Sequence, residues 1–450
     1  MFNNSITDIQ HFVQTLLEQI KTLTKELLLL RKDNAELREK LSRYEHPKTS
    51  SNSSLPSSKD PIGKRKINLR KPLNRPTGGQ KGHKGTTLKF QAPDKIEELS
   101  PDYCSRCGKS LLDIDGQVVE IRQQTDIPPI LPIITQYQSV RKVCSCGCAS
   151  QGSFPQGVTP FASYGSNVET LVCYLSVCQQ IPFKRLTVLL DEVFHLSISQ
   201  GTIQNILERF EQRTSSAYQT IRQMLSQTPV VGVDETSTNI NGKNHWSWVL
   251  QNQKATYITS ACSRSIKEFT DIMPQGMPNT ILVSDCYSGY FSRNVADHQI
   301  CTAHLLRDTL YLSELYQTNQ WAQKFSKLIT DALHLRKTTS GVIDDTPFTE
   351  RLNILLNQKI DNEFPKIITF QKRIEKYKHY LFGFLRNELI PSDNNASERA
   401  FRVFKIKLKV SGFFKSPAGA QRFAQIHSIV DTARKNFQSP YDVLRTATLC

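Results

Sequence analysis

Apolar residues recur at alternating spacings of three and four along the first 45 residues, which is the heptad pattern of a coiled-coil helix. From residue 16 to residue 37 position d is always leucine, and one polar residue, Asn34, interrupts position a. This pattern favours two parallel strands whose register is set by paired asparagines. We predict a homodimer or higher multimer that uses Leu16, Leu23, Leu27, Leu30, Asn34 and Leu37. The alternative is an amphipathic helix that packs on its own chain.

The periodicity stops between residues 46 and 92. Residues 46–59 are rich in Ser, Asn and Pro, which predicts a flexible tether. Residues 63–89 then hold nine basic residues and no acid. Such an arm can follow the phosphate backbone of DNA with affinity from counterion release, although a solvated linker has the same composition. The candidate DNA contacts are Lys64, Arg65, Lys66, Arg70, Lys71, Lys81 and Lys84.

Cysteines mark a further module at residues 93–155. A C-x-x-C-G pair is followed, some 40 residues later, by a C-x-C-G-C cluster. Thiolates at such spacings are ligands of tetrahedral Zn²⁺, and strand-like stretches between the two groups predict a small β module around one structural site. The strand-like stretches are Gln117–Arg122 and Ile133–Val143. The predicted ligands are Cys104, Cys107, Cys144 and Cys146, with Cys148 as the alternative to the last; free cysteines are the competing interpretation.

Helical spacing of apolar residues dominates residues 156–228. Within this module the segment Ser199–Ile206 predicts a turn, a capping hydroxyl and the start of a second helix. The pattern is similar to a helix-turn-helix, whose second helix would offer polar side chains to a DNA groove. These side chains are Gln200, Thr202, Gln204 and Asn205. An ordinary helical hairpin fits the pattern equally well.

Strand patterns begin at residue 229. Val230–Asp234 and Ile281–Asp285 are apolar β-branched runs that end in a carboxylate, as expected for buried central strands that deliver an acid to a sheet edge. Between them the chain predicts a turn, two strands and a helix: Thr238–Gly242, His245–Leu250, Ala255–Thr259 and Ile266–Met273. This order is that of an RNase H-like sheet, in which the first and fourth strands are neighbours. The predicted fold is therefore multidomain α+β, with a core at residues 229–300, a helical insertion at 301–390 and a return to the core at 391–450.

Three carboxylates carry the candidate chemistry. Asp234 and Asp285 end the two strands, and Glu398 lies on a predicted helix that Asn394 and Asn395 would cap. Together they can hold a pair of Mg²⁺ or Mn²⁺ ions against a phosphodiester. Taken singly, either aspartate could merely end a turn. Basic residues adjoin the site and are candidate DNA contacts: His304, Arg307, Arg399, Arg402 and Lys405.

The overall charge supports a polyanionic partner. Lys and Arg outnumber Asp and Glu by 57 to 41, which gives a net charge of +16. No cationic-plus-apolar signal segment opens the chain, and no apolar run approaches the roughly 18 residues of a membrane span. Eleven cysteines, mostly scattered, favour a reducing compartment with one metal site over a disulfide framework. We therefore expect a cytoplasmic protein.

Nearly the whole chain resembles a DDE transposase of insertion-sequence family 66. The resemblance rests on the leading zipper, the cysteine module and three motifs: Gly78–Gly85, Asp234-Glu235-Thr236 and Asp393–Ala400, of which the last is the most specific. Cys301–Arg307 is similar to the family's Cys-x-x-His segment.

The resemblance implies a function. Asp234, Asp285 and Glu398 would be the metal-binding catalytic triad. The reaction would be 3′-OH liberation at element ends followed by strand transfer into double-stranded target DNA. Companion proteins encoded by the same element are further candidate partners. Two other interpretations stay open: a non-catalytic DNA-binding regulator, and an RNase H-like nuclease without strand transfer.

Overall fold

The computed structural model describes residues 2–45, 47, 49, 79, 82–85, 87–155, 157–158 and 162–449. Six predicted DNA contacts of the basic arm lie outside the described residues: Lys64, Arg65, Lys66, Arg70, Lys71 and Lys81. Lys84 is described and is exposed. The predicted contact between the arm and DNA stays a prediction.

One continuous helix, α1 (Phe2–Glu45), contains the heptad seam. The leucines at position d are exposed to solvent, and Leu23 and Leu30 are each 62% exposed. These side chains do not pack on their own chain, so the seam is uncovered in a single copy. Among the residues that the structure describes, none of the helices combines the length and the apolar character that a bilayer crossing requires.

The cysteine module contains less regular structure than its sequence predicts. Its strands are β1 (Arg141–Val143) and β2 (Ala149–Gln151), which pair antiparallel. The prediction of a strand at Gln117–Arg122 is wrong, and of the predicted strand Ile133–Val143 only the last three residues are in a strand. A strand needs a hydrogen-bonded neighbour, and alternating apolar residues do not supply one. Val119 and Ile133 are accordingly each 94% exposed.

A helical unit precedes the central sheet. It consists of α2 (Ser166–Cys173), a π-helical turn (Tyr174–Cys178), α3 (Phe183–Phe194) and α4 (Gln200–Ser226). The Ser199 hydroxyl accepts a hydrogen bond from the Thr202 amide at 3.1 Å, so the predicted cap of α4 is present. Ile203 and Ile206 are buried, whereas Gln200, Gln204 and Asn205 are exposed.

The central sheet has five strands in the order β5-β4-β3-β6-β7. The strands are β3 (Val230–Ile240), β4 (Lys243–Gln251), β5 (Thr256–Ala261), β6 (Met277–Ser284) and β7 (Val295–Ile300). The first three pair antiparallel, and β3, β6 and β7 pair parallel. Helix α5 (Ile266–Ile272) connects β5 to β6. The prediction that the first and fourth strands are neighbours is confirmed, because β3 pairs with β6. Strand β7 was not predicted from the sequence.

The first hairpin of the sheet is longer than the sequence predicts. The expected turn at Thr238–Gly242 is wrong in extent, because β3 continues to Ile240. The turn itself is Asn241-Gly242, and both residues have positive φ, 48° and 78°. This Asn-Gly pair matches the right-handed twist of a two-residue hairpin, so it ends the strand later than the run of Ser, Thr and Asn indicates.

The remaining helices follow the sheet. An inserted helical region contains α6 (Thr302–Leu315), α7 (Trp321–Thr338), α8 (Thr346–Leu356), α9 (Pro365–Tyr377) and α10 (Gly383–Arg386). It has its own core, which includes Trp321, Phe325 and Phe370. Helices α11 (Asn395–Ala400), α12 (Arg402–Ser411), α13 (Pro417–Lys435) and α14 (Pro440–Leu449) complete the chain. Helix α13 lies on β5 and α4, and therefore joins the sheet to the preceding helical unit.

Candidate active site

Strand alternation determines which way Asp234 points. Val231 and Val233 are fully buried in the core on one face of the sheet. Gly232 and Asp234 therefore belong to the opposite face, which α11 covers. Strand β3 pairs with β6 in the register Val231 with Leu282. This register, continued along both strands, brings Asp234 opposite Asp285.

The segment that carries Glu398 is fastened to the same strand. The Asn394 side-chain amide donates to the Val233 carbonyl at 2.7 Å, and its oxygen accepts from the Ser397 hydroxyl at 2.6 Å. Both Asn394 and Ser397 are buried. Glu398 follows directly and is thereby held near Asp234 and Asp285. Polar groups that are buried and satisfied in this way specify one arrangement of the chain. The prediction that Asp234 ends its strand is wrong, because β3 continues to Ile240, whereas Asp285 does follow the last residue of β6.

The predicted cap of α11 is wrong in detail. Asn394 is the N-cap residue, but its side chain bonds no backbone amide of the helix. The Asp393 carboxylate instead accepts from the Asn395 amide at 3.0 Å. Asn394 is used to hold the helix to the sheet, which a cap prediction from local sequence does not consider.

Gly232 permits this close approach. A Cβ atom added there would lie 2.5 Å from the Asn394 Oδ1, 2.6 Å from the Gln251 Nε2 and 2.9 Å from the Ser397 Oγ. Each distance is below van der Waals contact. The second residue before Asp234 therefore has to be glycine for α11 to sit against β3.

Helix α6 holds the Glu398 carboxylate. Arg307 Nη2 donates to Glu398 Oε1 at 2.7 Å, and His304 Nε2 lies 3.3 Å from the same oxygen. Cys301, just before α6, accepts from the Asn394 amide through its Sγ at 3.1 Å. The Thr302 amide and hydroxyl both donate to the Ser392 carbonyl. The Cys301–Arg307 segment therefore positions the glutamate motif, a role that the sequence interpretation did not assign.

The carboxylates influence one another electrostatically. The pKa of Asp234 is raised well above its usual value by burial and by the negative charges of Glu235, Asp285 and Glu398. Burial also acts to raise the pKa of Glu398, but the hydrogen bond and charge of Arg307 outweigh it and lower that pKa. The pKa of His304 is lowered by burial and by Arg307. This edge of the sheet therefore has excess negative charge around Asp234.

Glu235 belongs to the face of β3 opposite Asp234, as strand alternation predicts. Its side chain is 2% exposed and forms an ion pair with Arg264. The Tyr290 hydroxyl donates to its other oxygen. Arg264 was missed in the sequence interpretation, because its position between acids is created by the packing of the β5–α5 loop.

The predicted metal ligands are only partly brought together. Among the described residues, no three His, Cys, Asp or Glu side chains are placed so that they could share a metal ion. The three acids lie at one edge without forming a coordination shell, since Arg307 engages Glu398 and the Tyr287 amide donates to Asp285 at 2.8 Å. The two cysteine groups likewise do not form a joint site.

Each cysteine group does form a local turn. The Gly108 amide donates to the Cys104 carbonyl at 2.9 Å, and the Gly147 amide donates to the Cys144 carbonyl at 2.9 Å. Both glycines have positive φ. Backbone amides of Arg106 and Cys107 lower the pKa of Cys104, and the Cys146 amide lowers that of Cys144. Lower thiol pKa values favour the thiolate, which is the metal-binding form.

Basic side chains continue beyond Glu398 on α11 and α12. Arg399 and Arg402 are exposed, and Lys405 is half-buried. The break between the two helices at Phe401, which is buried, divides the single basic helix that the sequence predicts.

Comparison with known families identifies the chain. Residues 162–422 match the model of the transposase IS66 family. The chain belongs to this family. The resemblance seen in the sequence is therefore confirmed, and the matched range of this IS66-family transposase includes all three acids, whereas the zipper, the basic arm and the cysteine module lie outside it. None of the curated proteins matches the chain.

Proposed function

We propose that the chain is a DDE transposase that binds the ends of its element and catalyses metal-dependent cleavage and strand transfer through Asp234, Asp285 and Glu398. The observation that carries the proposal is the parallel pairing of β3, which contains Asp234, with β6, which Asp285 directly follows, and the attachment of the Glu398 segment to β3 through Asn394. The strand order supports it, because antiparallel β5-β4-β3 followed by parallel β6 and β7 is the order of an RNase H-like sheet.

Mg²⁺ or Mn²⁺ suits the candidate site. Carboxylate oxygens are the ligands that these hard cations prefer, and the raised pKa of Asp234 indicates negative charge in need of compensation. To help hold the metal, the Glu398 carboxylate would have to give up its hydrogen bond to Arg307. When bound, two such ions activate the attacking oxygen and stabilise the leaving one.

The chain's own side chains then hold DNA. Arg307, once released from Glu398, and the exposed Arg399 and Arg402 would contact phosphates, and Asp234 and Asp285 would stay fixed by their strands. Phosphate contacts set the position of the DNA backbone relative to the acids without reading its sequence.

Zinc belongs to the same proposal as a structural ion. Cys104 and Cys107 on one turn, and Cys144 with Cys146 or Cys148 on the other, would close one Cys₄ site if the two turns met. A bound ion would hold the module together where β1 and β2 are its only regular strands among the described residues.

The uncovered seam of α1 leads us to propose dimerisation. Leu23→Lys with Leu30→Lys places charges at two d positions and is expected to convert the dimer to a monomer in sedimentation equilibrium. The chain offers a matched control, because Leu28 and Leu29 are similarly exposed but lie outside the seam. Leu28→Lys with Leu29→Lys should therefore leave the dimer intact. Equal effects of the two pairs, or a monomeric parent protein, would contradict the proposed seam.

Product analysis tests the function. The purified chain is incubated with labelled element-end DNA, a target plasmid and Mg²⁺ or Mn²⁺, and the products are separated by size. Joined products are expected from a transposase, cleaved ends without joining would indicate a nuclease, and binding without cleavage would indicate the regulator. The last two results would refute strand transfer by the chain alone.

A further inference from the structure

A buried ion pair lies beside the candidate acids on the opposite face of β3. Arg264 Nε donates to Glu235 Oε1 at 2.5 Å, and a second guanidinium nitrogen contacts the same oxygen. Tyr290, which is itself buried, donates to the other Glu235 oxygen. Burying a carboxylate is costly unless it is paired and hydrogen-bonded. Among the described residues, Arg264 and Tyr290 are the side chains that pair with Glu235, so this ion pair is a fixed feature of the fold.

Aromatic rings hold the guanidinium in one place. It lies 4.3 Å from the centre of the Tyr287 ring and 5.3 Å from that of Trp246. The Tyr287 hydroxyl also donates to the Arg264 carbonyl at 2.9 Å. Stacking and the contact of two guanidinium nitrogens with one Glu235 oxygen together restrict an arginine more than a lysine, whose ammonium has neither a planar face nor a fork of donors.

The Arg264 guanidinium lies near Asp285 but does not form a hydrogen bond with it. Arg264 Nη2 is 4.0 Å from Asp285 Oδ2, which is beyond hydrogen-bond distance. Its Nη1 has no hydrogen-bond partner among the described residues, and 40% of the side chain is exposed. A positive group with free donors is therefore presented to solvent at the strand edge where Asp285 lies.

We propose that Arg264 binds a phosphate oxygen of the DNA beside Asp285, and that Glu235 and Tyr290 are positioning residues that hold its guanidinium. The inference rests on the proposed function and adds a substrate contact to it. Arginine pairs with phosphate through two parallel hydrogen bonds, so a held guanidinium orients the phosphodiester as well as attracting it. A small misplacement of the phosphate costs orders of magnitude in rate, so the orientation is the larger contribution.

The experiment compares Arg264→Ala and Arg264→Lys with the parent chain on element-end DNA. Arg264→Ala is expected to reduce cleavage at least tenfold and to lower the slope of log K against log salt by about 0.9, the loss of one phosphate contact. Arg264→Lys should keep the slope and still lose about tenfold in cleavage, because charge remains without the fork. Glu235→Gln should weaken cleavage with Arg264 still present.

Arg293→Ala is the matched control. Arg293 also lies over an aromatic ring, Phe269, at 5.9 Å, but its bonds in the described part of the chain go to Thr270 and the Gly289 carbonyl, not to an acid. Its removal should change neither rate nor salt slope. An Arg264→Ala protein with an unchanged slope would overturn the inference even if cleavage fell, since the residue would then be structural.

Asp234→Asn, measured in the same experiment, distinguishes failure of the proposed Arg264 contact from failure of the proposed function. Cleavage that is lost in Asp234→Asn but kept within twofold in Arg264→Ala would refute the role of Arg264 alone. Cleavage that survives Asp234→Asn would refute the proposed function itself. Should Arg264→Ala unfold, Arg264→Lys decides: retained cleavage at the parent rate would refute the need for a guanidinium.

Discussion

Asp234→Asn is expected to abolish strand cleavage and to raise the thermal stability of the metal-free protein. The catalytic loss, at least about 1,000-fold, follows from removing a ligand carboxylate at the centre of the proposed triad. The gain in stability, roughly 0.5–2 kcal/mol, follows because an ionised Asp234 is half-buried and is repelled by the negative charges of Glu235, Asp285 and Glu398. Thermal denaturation in a chelator and cleavage assays with Mn²⁺ on the same preparations measure both effects.

The pH dependence gives the same prediction a second test. Because the pKa of Asp234 is raised in the folded state, the folded chain takes up this proton more readily than the unfolded chain. The stability that the proton contributes is fully present below the ordinary aspartate pKa and is lost as pH rises through the raised one. The amide of Asp234→Asn cannot titrate. The difference in unfolding free energy between this variant and the parent should therefore grow, in favour of the variant, as pH rises through that window.

Asp271→Asn is the control, since Asp271 is exposed on α5. It should change neither activity nor stability beyond about 0.5 kcal/mol. If Asp234→Asn is less stable than the parent, or if its gain in stability is largest at low pH, then the neighbouring acids do not destabilise an ionised Asp234.

Gly232→Ala is expected to inactivate the protein although it adds a single methyl group two residues away from Asp234. The new atom would overlap the side chains of Asn394, Gln251 and Ser397, of which the first is the fastener between the glutamate segment and β3. Helix α11 then has to move outward and take Glu398 with it. Overpacking of this kind costs about 1–3 kcal/mol, and a shift of about 1 Å at a catalytic group costs about 100-fold in rate.

Equilibrium unfolding in urea and the cleavage rate measure the two effects of Gly232→Ala. Gly165→Ala is the matched control, because Gly165 has φ −71° and an added Cβ would meet nothing within 4 Å. It should stay within about 1 kcal/mol of the parent and keep its activity. Full activity in Gly232→Ala would mean that the position of α11 against β3 does not set the geometry of the site.

The local pattern of apolar residues predicted the structure correctly where a single periodicity or a single apolar run determines the element. The heptads of α1 and the β-branched runs before Asp234 and Asp285 predict a helix and two neighbouring strands, and the structure has them. Local pattern failed at Gln117–Arg122, where alternation exists without a partner strand, and it did not indicate β7.

The sequence by itself determined which three acids are the candidates, the family, and the two apolar strand segments that directly precede Asp234 and Asp285. Spacing and residue type are local properties. An apolar run that is followed by a carboxylate can therefore be recognised in the sequence without knowledge of the fold. Only the tertiary structure decided that Arg307 and His304 hold Glu398 and that Glu235 holds Arg264 beside Asp285. These pairs join residues 29 to 94 positions apart, through helix and loop packing on the sheet, and such contacts leave no period or motif in a single sequence.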